Sequence, residues 1–467
     1  MSDVLSIPPA QIDARSQSSF VELGGDSHLA VALWHKLRAI DILDDASSVE
    51  PIDLLLAPDA NGLQSLVDGH LPAKRRRTTN GTEMTFKPSS EETTEDNHHL
   101  VRFPGCVDAA PLHYDGFIYN ACQSGVIQRI KVAARQAGST TAFTLSHGWR
   151  VQSSLIVCCD TILACCHHAT KCCGLVVCIN KQLTTTVWEM QLRNAIKSTP
   201  LVQGDCILVQ SGDFLFALDT NNGTVVTQIT LGGVSVCCPA SINPLHSTKS
   251  LYVYSDWSCS CEVVDFRDGQ FSRTTIEGLD TPIRADPLFL KPNQIFAADI
   301  LGNVHMIDTA AMAITSYKIA SAAFCSTPAR TVDGDILLGC NDGVVRCLSQ
   351  ADPAVVHWEL DVGAAVVTKI VSTKDNDFVV CTTAGQVLRV SPGAGAPFAD
   401  QIARVTGEIW SDPLLVELGS DGGAGESEMQ PISREKPAGE EIIVFGARDA
   451  GLHVVHLEQR RLPRFAR

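Results

Sequence analysis

Two rhythms of apolar and polar positions divide this chain of 467 residues. Near the start, Leu29, Leu33, Leu37 and Ile40 fall on one stripe at helical spacing, so LAVALWHKLRAI predicts an amphipathic helix over 29–40. From about residue 99 to 467 the pattern changes to short apolar runs rich in Val, Ile, Thr and Cys, punctuated by Gly, Asp, Asn and Ser, which predicts β-strands joined by turns. Between them, residues 71–98 (AKRRRTTNGTEMTFKPSSEETTEDN and its flanks) lack the apolar side chains that offset ordering entropy and read as a flexible linker. The expected organisation is therefore a helical domain at 1–70, a linker at 71–98 and a β domain at 99–467.

The β region repeats itself. STPLVQGDCILVQSGDFLFALDTNNGTVVTQITLGG (198–233) is echoed at 281–319 and 325–363, and further copies bring the total to eight units. Each unit reads as four short strands, the first entered at T-P-x, and a four-stranded sheet repeated radially is a β-propeller blade. The predicted fold is mainly β: an eight-bladed propeller, with seven blades as the alternative, behind a small α-helical domain. Turn glycines are expected at Gly125, Gly174, Gly212, Gly302, Gly343, Gly385 and Gly451, with SDWSC (255–259) replacing one in the fourth unit. The steps from Gly302 to Gly343 and on to Gly385 are 41 and 42 residues, a blade period. A Gly-, Ser- and charge-rich insert, ELGSDGGAGESEMQPISREKPAGEE, reads as a disordered surface loop of the last unit. That unit lacks a fourth strand, whereas HHLVRFPG (98–105) looks like an orphan one. The N-terminal strand is therefore expected to complete the last blade and close the ring, removing an exposed edge.

Charge narrows the range of partners. A net charge of −16, with a pI near 5.3, argues against nucleic acid and anionic membrane surfaces, both of which select basic faces. MSDVLSIPPAQID has neither the basic nor the apolar segment of a secretory signal, and no apolar run is clean enough to span a bilayer, so the expectation is a soluble cytoplasmic protein. The KRRR run at 74–77 reads as a solvated linker charge run, with a nuclear localisation signal as its rival. The 18 cysteines are read as reduced thiols.

Candidate chemistry centres on FVELGGDSHLAVALW (20–34). Gly24 and Gly25 allow loop conformations closed to other residues, Asp26 can cap the helix, and Ser27 falls in its first turn. A phosphate on Ser27 would lie beside free N–H groups at the positive end of the helix dipole. A plain glycine turn before a capped helix fits the same residues.

The run from VLSIPPAQID through GGDSHLAVALWHKLRAI to PIDLLLAPDANGLQSLVDG resembles the acyl and peptidyl carrier domains of nonribosomal synthetases and related acyl-activating enzymes. The resemblance implies that Ser27 carries 4′-phosphopantetheine, with Gly24, Gly25 and Asp26 as the supporting loop. The arm's thiol would hold an acyl or aminoacyl group as a thioester. The first carrier helix is largely missing, which reads as a shortened product or fragment, and His28 stands where the family has an aliphatic residue.

The repeats resemble pyrroloquinoline-quinone-type and WD40-like propeller units. Carrier plus propeller resembles the C-terminal part of the β-alanine-activating-enzyme type of the acyl-CoA synthetase family. That resemblance implies activation of an amino acid, β-alanine in the family, by an adenylation domain acting in cis of a longer product or in trans. It also implies a phosphopantetheinyl transferase and an acyl acceptor, protein or small molecule, as partners. No ATP-handling motif occurs in the chain itself, so it reads as the carrier portion of an adenylate-forming ligase.

Cysteine pairs at 158–159, 165–166, 172–173 and 237–238 suggest a redox role of the quinoprotein kind, and CCHHATKCC a zinc site. Buried strand cysteines and a hairpin with an enlarged loop account for them more simply. The tryptophan that ends such repeats survives only at Trp188 and Trp358. The rival functions are a quinone-dependent dehydrogenase and a non-enzymatic propeller scaffold with a degenerate carrier segment.

Overall fold

The computed structural model describes residues 97–133, 136–235, 240–242, 251–254, 261–279, 281, 283–392, 396–418 and 440–457. Ser27 and its loop, the expected helix at 29–40, all of the linker but its last two residues, SDWSC and most of the insert lie outside these residues.

The described residues form strands and no α-helix. Their burial explains why the sequence reads as it does. In the sixth repeat the second strand, Ile336–Gly339, is wholly buried and the third, Val344–Leu348, nearly so, while the outer strand Val356–Asp361 is exposed or half-buried throughout. Middle strands are covered on both faces by neighbouring sheets, so they become continuous apolar runs such as ILLG and FVVC. Outer strands meet water and turn polar.

Among the described residues these strands form eight sheets, one per repeat. The first joins Leu112–Tyr114, Phe117–Ala121, Val126–Ala133 and Gln136–Thr144. The eighth joins Leu414–Leu418, Glu440–Ala447 and Gly451–Leu457, and its outer strand is His98–Arg102 from the other end of the chain. That strand pairs antiparallel from His98 opposite Val455 to Arg102 opposite Gly451. The closure expected from HHLVRFPG is therefore observed.

Apolar layers join each sheet to the next. Tyr119 packs in one layer with Ile162, Leu163 with Phe216, Leu208 with Val264, and Ile276 with Ile295. Phe296 shares a layer with Leu338, Leu337 with Val380, Val379 with Phe445, and Val454 with Ile118 of the first sheet. The last layer returns to the first sheet, and the ring is complete with eight.

Details depart from the repeat pattern. Gly125, Gly212, Gly302, Gly343 and Gly385 have positive φ, as turn residues need, whereas Gly174 and Gly451 open strands instead. Gly174 is there for space, since a Cβ would meet the carbonyl of Asn194 at 2.6 Å. Ala450 takes the positive φ before Gly451. The third sheet has three strands rather than four, because Cys206–Asp219 runs unbroken through Gly212. The second gains an extra strand, Trp149–Val151, beside Ile156–Cys158.

Candidate functional site: an axial cleft

A cleft of about 540 Å³ opens where the segments leading into the innermost strands converge. Those segments share a three-residue pattern, at 108–110, 152–154, 197–199, 284–286, 325–327, 367–369 and 410–412, from seven of the eight sheets. The middle residue is always small and buried: Ala109, Ser153, Ser198, Ala285, Ser326, Thr368 and Ser411. In each segment one or both flanking residues line the cleft, and Ser153, Ser198 and Ala285 reach it as well.

The buried hydroxyls stitch neighbouring segments together. Ser326 Oγ donates to the carbonyl of Thr368 at 2.7 Å, and Ser411 Oγ to that of Ala109 at 2.9 Å. Main-chain N–H groups do the same: Lys369 donates to Asp412 Oδ1 at 2.7 Å and Ser154 to Thr199 Oγ1 at 3.2 Å. The cleft wall is thus held by bonds between sheets rather than by loops free to move.

Three carboxylates, Asp108, Asp286 and Asp412, and two cations, Lys197 and Arg284, face this space. Asp108 is gripped by Arg448, whose Nε and Nη2 lie 3.2 and 3.3 Å from its two oxygens, and by Gln123. Burial pushes the Asp286 carboxyl up to about 6, and the Asp412 charge adds to the rise. Burial also raises Asp412, opposed by the N–H and charge of Lys369. Trp410, 42% exposed, stands at the wall with the Arg448 guanidinium 4.5 Å above its ring, and its Nε1 donates to Glu408 at 2.9 Å.

The residues singled out from the sequence fall elsewhere. Cys158 and Cys159, with sulfurs 3.8 Å apart, occupy a hairpin turn where Cys159 and Asp160 have φ of 45° and 63°, and neither lines the cleft. Burial first, and then Cys159, push the Cys158 thiol up to about 12. Cys165 and Cys166 are adjacent in one strand and enter different apolar layers, so their side chains point apart. Among the described residues, no three His, Cys, Asp or Glu side chains gather to hold a metal ion. Trp188 is structural: it is buried and its Nε1 donates to the carbonyl of Thr220 at 3.1 Å. Sequence reasoning missed Asp286, Asp412 and Trp410. The signal for them was present, as a small residue before T-P, D-P or their equivalents in unit after unit.

No family model matches the sequence, and no curated protein does. Solved structures do match. Sqt1 of Saccharomyces cerevisiae is similar with a TM-score of 0.61 at 14% identity, covering 78% of this chain and 100% of its own. BamB of Moraxella catarrhalis gives 0.56 at 14%, covering 78% and 98%, and the computationally designed Ika8 protein 0.56 at 12%, covering 77% and 98%. At these identities the likeness shows the fold alone: the described part of the chain is a β-propeller.

Proposed function

We propose that this chain is a 4′-phosphopantetheine-dependent carrier protein, with Ser27 as the attachment residue and the propeller as the body that docks a partner or the acyl acceptor. The observation that carries the reading is the FVELGGDSHLAVALW run, in which Gly24, Gly25 and Asp26 lead into a helix-patterned stripe and a phosphate on Ser27 would meet a helix N-terminus. The arm's thiol would attack the carbonyl of an acyl adenylate made elsewhere, forming the thioester and releasing AMP. The adenylation domain would act in cis of a longer product or in trans, and the group carried would be an amino acid, β-alanine in the family the chain resembles. The reading places the chain in the cytoplasm, where its cysteines would stay reduced.

A second reading, a propeller scaffold without carrier chemistry, is favoured by the closed ring and its cleft, which need no arm. The quinone-dependent dehydrogenase gains nothing from the geometry, because Cys158 and Cys159 lie outside the cleft lining. Labelling with a fluorescent coenzyme A analogue and a promiscuous phosphopantetheinyl transferase separates the two readings. The carrier reading expects a labelled band that Ser27→Ala abolishes, and the scaffold reading expects none.

A further inference from the structure

The acids of the axial cleft differ in how well they are satisfied. Asp108 has Arg448 and Gln123, and Asp412 has the Lys369 N–H. Asp286 is left over: its Oδ1 is closed to water and accepts no hydrogen bond. Burial and the neighbouring Asp412 both disfavour its charged form. The Lys369 charge offsets this only in part, and a carboxylate beside another carboxylate is the arrangement that an arriving cation relieves, with reduced access of water strengthening the attraction. The same wall carries the Trp410 ring, which already takes the Arg448 guanidinium 4.5 Å above one face and so shows its attraction for cations.

The shape of the space decides what kind of cation. About 540 Å³ is the size of a site for a small organic molecule, and the described residues offer no three-ligand cluster for a metal ion.

We propose that the axial cleft binds a small organic ammonium group, which donates to the Asp286 and Asp412 carboxylates and packs against Trp410. The inference rests on the propeller being a docking body, as proposed above, and not on an arm at Ser27. Lys197 and Arg284 face the same space and define the rival, an anionic ligand.

The test titrates the full chain with 1,4-diaminobutane and separately with glutarate, read by calorimetry and tryptophan fluorescence. Saturable diamine binding at pH 7.5 is expected, about tenfold weaker at pH 5, one unit below the Asp286 value of about 6, and weaker by at least about tenfold in Asp286→Asn and Asp412→Asn. The fluorescence response is expected to vanish in Trp410→Phe while calorimetric binding persists. Saturable glutarate binding without diamine binding would overturn the ammonium assignment and leave the cleft as a docking site. Neither probe binding to folded protein would overturn both.

Discussion

Asp286→Asn is expected to stabilise the propeller, and only above the pH at which Asp286 ionises. The native carboxyl sits near 6 against an ordinary 3.8, so the folded state holds its proton more tightly than the unfolded chain. Wherever the folded state binds more protons, stability falls as pH rises. The cost is absent below about 3.8, grows between 3.8 and about 6, and is complete above that. Two units would amount to about 3 kcal/mol for a group fully shut from water. Asp286 is half-buried at a cleft wall, and screening there reduces the expectation to about 1–2 kcal/mol. Asparagine keeps the shape and cannot ionise, so the variant avoids the cost. Differential scanning calorimetry of both proteins at pH 4.5 and pH 8 reads the effect, and taking variant minus wild type at each pH cancels the other titrating groups. The melting temperature is expected to rise by about 1–3 °C at pH 8, with a gain about a third as large at pH 4.5. A gain no larger at pH 8 than at pH 4.5 would refute the reasoning.

The remaining predictions concern the ring. At the closing seam His98 Nε2 lies 2.9 Å from His453 Nδ1, and His453 Nε2 lies 3.1 Å from Asp449. Burial, first among the causes, holds both imidazoles below their ordinary 6.5. Their neutral forms therefore contribute stability that is present above 6.5 and lost as pH falls through the folded values. Hydrogen exchange of the His98–Arg102 amides, corrected for intrinsic rates, is expected to be faster at pH 5.5 than at 7.5, and equal protection would count against the latch. Gly125→Ala forces a side chain onto a residue with φ of 75° and brings a Cβ within 2.7 Å of the Trp149 carbonyl oxygen. A loss of at least about 1–2 kcal/mol is expected in chemical denaturation, and an unchanged midpoint would sink the turn argument. Arg389 donates to Asp377 and Asp375, each at 2.7 Å. Arg389→Ala takes the ion-pair partner from the buried Asp377, which keeps the Ser391 hydroxyl, and is expected to cost about 3–5 kcal/mol, with part recovered in Arg389→Ala/Asp377→Asn; no recovery would place the loss in packing instead.

Much of the ring was legible because a blade imposes the same burial on every unit. Strands covered on both faces have to be continuous apolar runs, and LLG before Cys340 or FVVC at 378–381 follow from that alone. Ring closure was legible too, since a missing outer strand at one end matched a surplus one at the other. The cleft was not, because Asp286-Pro287 and Asp412-Pro413 look like ordinary turn punctuation in a single unit. Only the ring brings the fifth and eighth units to one axis. The cysteine pairs misled for the converse reason: Cys165 and Cys166 are neighbours along the chain and face different sheets, because successive side chains of a strand point to opposite sides. The extra strand Trp149–Val151 and the unbroken Cys206–Asp219 depend on local hydrogen bonding that no repeat average carries.

Attachment of 4′-phosphopantetheine at Ser27 is tested most directly by intact mass. The chain is incubated with coenzyme A and a promiscuous phosphopantetheinyl transferase beside Ser27→Ala, and any adduct is mapped to its peptide. An increment of one phosphopantetheine is expected on the peptide that contains Ser27, absent from the variant. Folded protein that stays at its original mass would contradict it and leave GGDS as a capped turn beside a binding propeller.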